Sequence, residues 1–270
     1  MPNQVLRAFL LLFAAALCAC RTVPGTGRSQ LNLASESALS EQASAAFAQM
    51  PKANDPAGLA RVKAIALRVI TAARTAPKGY GDATLPPPAA WEIAIINDDK
   101  PNAFAMPGGK IGFNSGMFRL TPTDEDIAVI LGHEVAHVVC RHGNERVSQG
   151  IAAAVGAVAV DQATRDQSAE KHQQAMAAYG AVATLGVILP FSRSHESEAD
   201  QLGVVYMALA GYNPAQSVTF WQRFSKEPGA RMPEFLSTHP SDQTRIQDLQ
   251  KLLPMAQKIY SAQQVKAPAR

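Results

Sequence analysis

Ile130-Leu131-Gly132-His133-Glu134-Val135-Ala136-His137-Val138-Val139-Cys140 is the stretch on which the reading of this chain turns. It contains H-E-x-x-H. Residues four apart share one face of a helix, so His133 and His137 are expected to present two imidazoles one turn apart. Two imidazoles so placed suit a single tetrahedral zinc ion. Glu134 points to the same side without being a ligand, and can serve as general base toward a water polarised by the ion. The flanks agree with a helix. Thr123-Asp124-Glu125-Asp126 offers a cap and negative charge for its N-terminus. Ile127, Ile130, Leu131, Val135 and Val138 make an apolar stripe at helical spacing. Cys140, at the end of this helix, reads as a buried packing residue rather than a ligand.

A catalytic zinc takes three protein ligands and keeps a position for water. The missing donor is sought downstream, in Ser192-Arg193-Ser194-His195-Glu196-Ser197-Glu198-Ala199-Asp200-Gln201-Leu202-Gly203. Glu196 and Asp200 share a helix face at i, i+4. Glu196 is the expected third ligand, giving one zinc per chain held by His133, His137 and Glu196. Asp200 then accepts the spare N–H of a zinc-bound histidine and fixes its tautomer. Glu198 points roughly 160° away around the helix and is expected at the surface or in a supporting position. His195 is expected to be a solvent or core histidine.

Working outward, the chain begins with one Arg and an apolar run, Ala8 to Ala19, too short to span a bilayer in the mature protein. Residues 1–19 read as a secretory signal. Leu17-Cys18-Ala19-Cys20 resembles a bacterial lipobox, so Cys20 is the expected lipidation site, and its acyl chains would anchor the protein. Arg21 after Cys20 suggests delivery to the outer membrane, on its periplasmic side. Of the three cysteines only Cys140 would then keep a thiol, so no internal disulfide is expected. The net charge of +3 falls to +2 without residues 1–19, which carry Arg7. That is too little to argue for nucleic acid as a partner. The remaining length suits one core, or one core with a small appendage.

Residues 20–58 read as an N-terminal tether, with turn chemistry at Pro24 to Arg28 and a short helix near Ser35 to Met50. The zinc domain is expected over 59–270. Leu59 to Ala76 has the apolar spacing of an amphipathic helix that packs behind the H-E-x-x-H helix. Trp91 to Asn97 reads as a strand. Ala103-Phe104-Ala105-Met106 and Lys110-Ile111-Gly112-Phe113 flank Pro107-Gly108-Gly109 and read as a hairpin. An extended substrate could add to its edge at Asn102, Ala103, Phe104 and Ala105. Residues 148–190 read as helices of the domain, as a mobile segment over the site, or as a membrane-touching segment. Asn213-Pro214 starts a further helix bearing Phe220, Trp221 and Phe224, and Ser241 caps one bearing Ile246, Leu249 and Leu252, with a frayed tail after Pro254.

These pieces together resemble a known family. His133-Glu134-x-x-His137, followed by Glu196-x-Glu198-Ala199-Asp200-x-x-Gly203, is similar to the HtpX/BepA/LoiP-like zinc metalloproteases, gluzincins that include the CAAX prenyl protease and the Oma proteases. Pro24-x-Thr26-Gly27-Arg28-x-Gln30-Leu31, Asn102-Ala103-Phe104-Ala105-x-Pro107-Gly108-Gly109 and Ser237-Thr238-His239-Pro240-x(4)-Arg245-Ile246 match it too, so the likeness runs from about Pro24 to Leu253. It is nearest to the short periplasmic lipoprotein members. The resemblance implies an α+β fold: a mainly helical gluzincin domain with a small antiparallel sheet beside the H-E-x-x-H helix. It implies endoproteolysis of unfolded or misassembled envelope proteins at a membrane. It places His239 near the metal as a gate, and Arg245 where it can stabilise a tetrahedral oxyanion. The alternative function is a non-proteolytic outer-membrane assembly factor or chaperone with a latent zinc site. A free-standing aminopeptidase lacks any feature for capturing an N-terminus.

Overall fold

The computed structural model describes residues 20–184, 189–225 and 244–266. In chain order its elements are β1 (Cys20–Thr22), β2 (Ser29–Leu31), α1 (Glu36–Ala48), α2 (Pro56–Thr75), β3 (Glu92–Ile96), β4 (Ala103–Met106), β5 (Lys110–Asn114), α3 (Asp124–Val139), α4 (His142–Thr164), α5 (Ala169–Ala183), α6 (Leu189–Leu209), α7 (Ala215–Phe224) and α8 (Arg245–Lys266). The fold is α+β and mostly helical.

Helix α3 starts where the sequence places it. The Thr123 side chain accepts from the Asp126 amide, and the Asp126 carboxylate accepts from the Thr123 amide, satisfying two donors that the helix end leaves open. Every residue from Asp126 to His137 is buried. A helix inaccessible all round must be covered on every side. Helix α2 lies behind it, with Val62, Ile65, Ala66, Val69 and Ile70 buried. Helices α6 and α7 cover two further sides, and β4 runs along another.

The crossing of α3 with α6 sets the site. A Cβ on Gly132 would sit 2.7 Å from the Gly203 carbonyl oxygen, and one on Gly203 would sit 2.8 Å from the His133 nitrogen. Only paired glycines permit this backbone approach. It brings the turns of α6 that carry Glu196 and Asp200 against the histidines of α3.

The sheet differs from the antiparallel one expected. Its order is β3-β5-β4; β4 and β5 form the antiparallel hairpin, but β3 runs parallel to β5. The chain leaves β3, crosses past β5 and returns on its far side, a connection that strand patterning alone does not reveal. Gly108 and Gly109 close the hairpin with φ of 78°, a region that favours glycine. Strand β4 is left as an edge facing α3.

At the N-terminus, β1 and β2 pair antiparallel, with Cys20 opposite Leu31. Val23 is buried in the core. On α1, Phe47 is buried with Ala94 and Ile96 behind the sheet. Helices α4 and α5 lie against each other, and the Tyr179 hydroxyl donates to the Ala153 carbonyl at 2.8 Å. Val147, Ile151, Val155 and Val158 are exposed along α4. Among the described residues no helix is long and apolar enough to cross a membrane. The tail expected to fray is ordered helix: α8 continues through Pro254 to Lys266, because Ala256, Ile259 and Tyr260 pack on the core.

Candidate active site

Residues His133 and His137 stand on one face of α3, their rings edge to face with centroids 4.6 Å apart. Their Nε2 atoms are 3.0 Å apart. From α6, Glu196 brings Oε2 to 3.2 Å from His133 Nε2 and Oε1 to 3.4 Å from His137 Nε2. Donors around a tetrahedral zinc with bonds of about 2.0–2.2 Å lie roughly 3.3–3.6 Å apart. The two imidazole nitrogens and the Glu196 carboxylate stand at about that spacing, with one donor atom from each residue within 4.8 Å of the others, so the residues fit zinc. Among the described residues this is the one buried group of His, Cys, Asp or Glu with ligand spacing.

The electrostatics favour a cation. Burial alone would raise the Glu196 carboxyl, but His133 and His137 overcome it and hold it far below the usual carboxylate range. Burial would lower His133, yet the Glu196 charge and the Asp200 hydrogen bond raise it to about 9. At His137 burial prevails and pushes the ring well below its ordinary value.

Base and strand meet at one hydrogen bond. The Ala105 amide on β4 donates to Glu134 Oε2 at 3.1 Å, and Glu134 is buried. The Asn114 amide donates to the Asn102 carbonyl at 2.9 Å. With the β4–β5 register, that alternation turns the main-chain groups of Ala103 and Ala105 toward the open edge. Phe104 instead packs across Gly112 and against Phe47, on the sheet face that holds α1. Of the four expected strand residues, Ala105 touches Glu134. A cleft of about 460 Å³ follows β4, bounded by Ala105, Met106, Leu85, His137 and Arg141.

Asp200 is where the sequence puts it. Its Oδ1 lies 2.9 Å from His133 Nδ1. Arg245 Nη2 donates to the same oxygen at 2.6 Å, and the guanidinium stacks 3.5 Å from the Trp221 ring centre. Arg245 therefore reaches the site at Asp200 and at the His133 ring itself, its Nη2 3.2 Å from His133 Nδ1 and 3.8 Å from Glu196 Oε2. His239 lies outside the described residues. Cys20 is exposed at the start of β1, beside an apolar hollow lined by Leu31, Ala152, Tyr179 and Val182.

A second polar cluster was not anticipated. His142 Nδ1 sits 2.8 Å from His137 Nδ1, and His142 Nε2 sits 2.9 Å from Glu198 Oε2. Glu198 is buried, not at the surface. Arg28 Nε and the Thr26 hydroxyl both donate to its Oε1, at 2.8 and 2.9 Å. Arg28 also grips Glu145 at 2.6 and 2.8 Å, and Glu145 Oε2 takes His195 Nε2 at 2.9 Å. Burial would raise both carboxyls, but these hydrogen bonds hold each near 2, while burial lowers His142 to about 4. The wheel angle of Glu198 is as expected, but the N-terminal segment and α4 cover that side. Arg141, with φ of 55°, turns the chain sharply after α3 and carries His142 back to His137.

Two helix-borne histidines, a carboxylate from a crossing helix and a buried glutamate at a strand edge are the arrangement of a zinc metallopeptidase. The family model of peptidase family M48 matches residues 60–253, and the chain belongs to that family. It is 34% identical over 170 residues to the mitochondrial metalloendopeptidase OMA1 of Schizosaccharomyces pombe, covering 62% of this chain and 48% of that one. It is 32% identical over 214 residues to the OMA1 of Saccharomyces cerevisiae, covering 74% and 57%. It is 26% identical over 209 residues to the beta-barrel assembly-enhancing protease of Escherichia coli, covering 73% and 39%. The chain thus spans about half the length of these relatives or less.

These relatives correct the expected address. A lipid-anchored location on the periplasmic side of a bacterial outer membrane does not stand, because the two yeast relatives are mitochondrial by name. A short apolar run with one Arg is common to several kinds of targeting segment, and a cysteine at its end does not fix the compartment.

Proposed function

We propose that this protein is a membrane-associated endopeptidase that cuts unfolded or misassembled membrane proteins, taking them as extended segments along β4. The observation that carries the reading is the Ala105 amide on Glu134 Oε2, which sets the base between the metal ligands and an open strand edge. An extended chain can pair with the main-chain groups of Ala103 and with the Ala105 carbonyl, an addition that folded substrates do not offer. Its scissile bond is then carried past Glu134. The carboxylate takes a proton from the attacking water and delivers it to the leaving amine. Zinc, when bound by His133, His137 and Glu196, polarises the carbonyl and makes the water acidic. Asp200 orients the His133 ring, and Arg245 holds Asp200. The membrane setting is supported by the Escherichia coli relative, whose name ties it to β-barrel assembly.

The test is digestion of unfolded casein by the full chain beside Glu134→Gln, with zinc measured in both. Glu134→Gln should keep its zinc and lose activity at least about 100-fold, the scale of a general base. Equal cleavage by the two proteins would overturn the reading.

A further inference from the structure

The mechanism above uses one partner of the metal ligands, Asp200 on His133. The other histidine has a longer support. A histidine that gives Nε2 to a metal carries its proton on Nδ1, and that N–H needs an acceptor. For His137 the atom in reach is His142 Nδ1, at 2.8 Å. To accept, His142 must carry its own proton on Nε2, which then donates to Glu198 Oε2 at 2.9 Å. Glu198 has to stay an acceptor with its carboxylate fixed in place. Three donors fix it: Thr26 Oγ1, Arg28 Nε and Arg28 Nη2, the last at 2.9 Å. The Arg28 fork also spans Glu145. Each step allows one direction of donation, so the tautomer of His137 is set from Arg28.

We propose that Arg28, Glu198 and His142 are positioning residues for the metal site, so that the N-terminal segment, through Thr26 and Arg28, orients the zinc ligand His137. The inference rests on the zinc-peptidase reading of His133, His137 and Glu196. Its consequence is that the turn between β1 and β2 is a working part of the centre as well as a link to whatever precedes it. Arg28 and Glu198 are 170 positions apart in sequence and meet only in the fold. The planar fork matters more than the charge, because an ammonium cannot span two carboxylates with parallel pairs of hydrogen bonds.

The test reads the metal directly. Zinc affinity is measured by chelator competition, and the ligand field by the visible absorption of the cobalt-substituted protein. The set is wild type, Arg28→Ala, Arg28→Lys, Glu198→Gln and Arg223→Ala. Arg223 pairs with buried Asp126 at 2.6 Å, at the far end of α3, and reports what the loss of a comparable ion pair does in general. Arg28→Ala should weaken zinc binding roughly 10- to 100-fold and shift the cobalt bands, as loss of a support behind a ligand does. Arg28→Lys should behave almost as badly. Glu198→Gln keeps one oxygen to accept from His142 but turns an NH2 toward the donors of Thr26 and Arg28, so it should lose part of the affinity and fall between wild type and Arg28→Ala. Arg223→Ala should lower thermal stability and leave affinity and spectrum alone. If Arg28→Ala does not fold, Arg28→Lys carries the comparison. Affinities within about twofold of wild type in both Arg28 variants, or an equal loss in Arg223→Ala, would overturn the proposal. Wild type that binds no zinc would instead defeat the metallopeptidase reading itself.

Discussion

The two histidines of the candidate metal site occupy one helix turn but rest on unlike supports. His133 leans on an anion: Asp200 accepts directly from its ring, and Arg245 holds Asp200 while its Nη2 also lies 3.2 Å from His133 Nδ1. His137 leans on a neutral imidazole, and charge enters only two steps further out, at Glu198 and Arg28. The pKa directions differ as well: burial lowers both rings, but the Glu196 charge and the Asp200 hydrogen bond raise His133, whereas burial prevails at His137. A carboxylate partner makes a histidine a stronger electron donor, so on the proposed zinc site the two ligands would be tuned unequally. The short support comes from α6 and α8, which flank the site. The long one reaches the first described residues of the chain.

The sharpest way to break this contrast is to remove one support at a time. Asp200→Ala takes away the direct acceptor of His133 and leaves the Arg245 guanidinium beside Glu196 without its main counterion. Zinc affinity should fall toward the upper end of the roughly 10- to 100-fold range for such partners. His142→Ala removes a neutral acceptor and should cost less, near the lower end. Chelator competition on both variants decides: a larger loss for His142→Ala would invert the proposed ranking.

The next effect falls on both supports together. A Cβ on Gly203 would press on the His133 nitrogen at 2.8 Å, which is backbone and cannot swing aside. Gly203→Ala should push α6 off α3 and destabilise the fold by about 1–3 kcal/mol, the usual cost of overpacking. Because α6 carries Glu196, Glu198 and Asp200, zinc affinity should drop in step. Thermal melts with and without added zinc check it. An unchanged melting temperature would mean that the close approach at Gly132 and Gly203 is not what docks the two helices.

The same contrast divides what the sequence discloses from what it hides. Local spacing reveals the His133 side: H-E-x-x-H and the i, i+4 pair Glu196 and Asp200 are helix geometry, and helix geometry is periodic. The strand edge at Ala105 is equally local, set by a hairpin around Gly108 and Gly109. The outer end of the His137 side depends on Arg28 contacts between residues more than a hundred positions apart, and its inner end on the left-handed turn at Arg141, an arginine where no pattern announces one. A wheel shows which way Glu198 points but not what covers that side. The parallel pairing of β3 with β5 is hidden for the same reason, since a strand pattern fixes faces and not partners. Helix α8 runs through Pro254 because tertiary packing of Ala256 and Ile259 outweighs a local breaker.

The smallest expected effect sharpens the long support by titrating its outer end. Glu145 is held at about 2 against an ordinary 4.5. Burial alone would raise it, so the depression comes from the hydrogen bonds of Arg28 and His195. A carboxylate whose pKa is lower in the folded chain than in the unfolded one adds stability above the unfolded value. That contribution is lost as pH falls through the folded value. The stability that Glu145 adds should therefore be complete above about pH 4.5 and gone below about pH 2. In Glu145→Gln the acid limb of the stability curve should be flatter over that window, because the amide has no proton to take up. The variant should also be less stable at neutral pH, where Arg28 would lose one of its two charged partners. Urea midpoints from pH 7 down to pH 3 measure both effects. If the two curves run parallel, Glu145 does not feel Arg28 as the geometry requires, and the long support ends at Glu198.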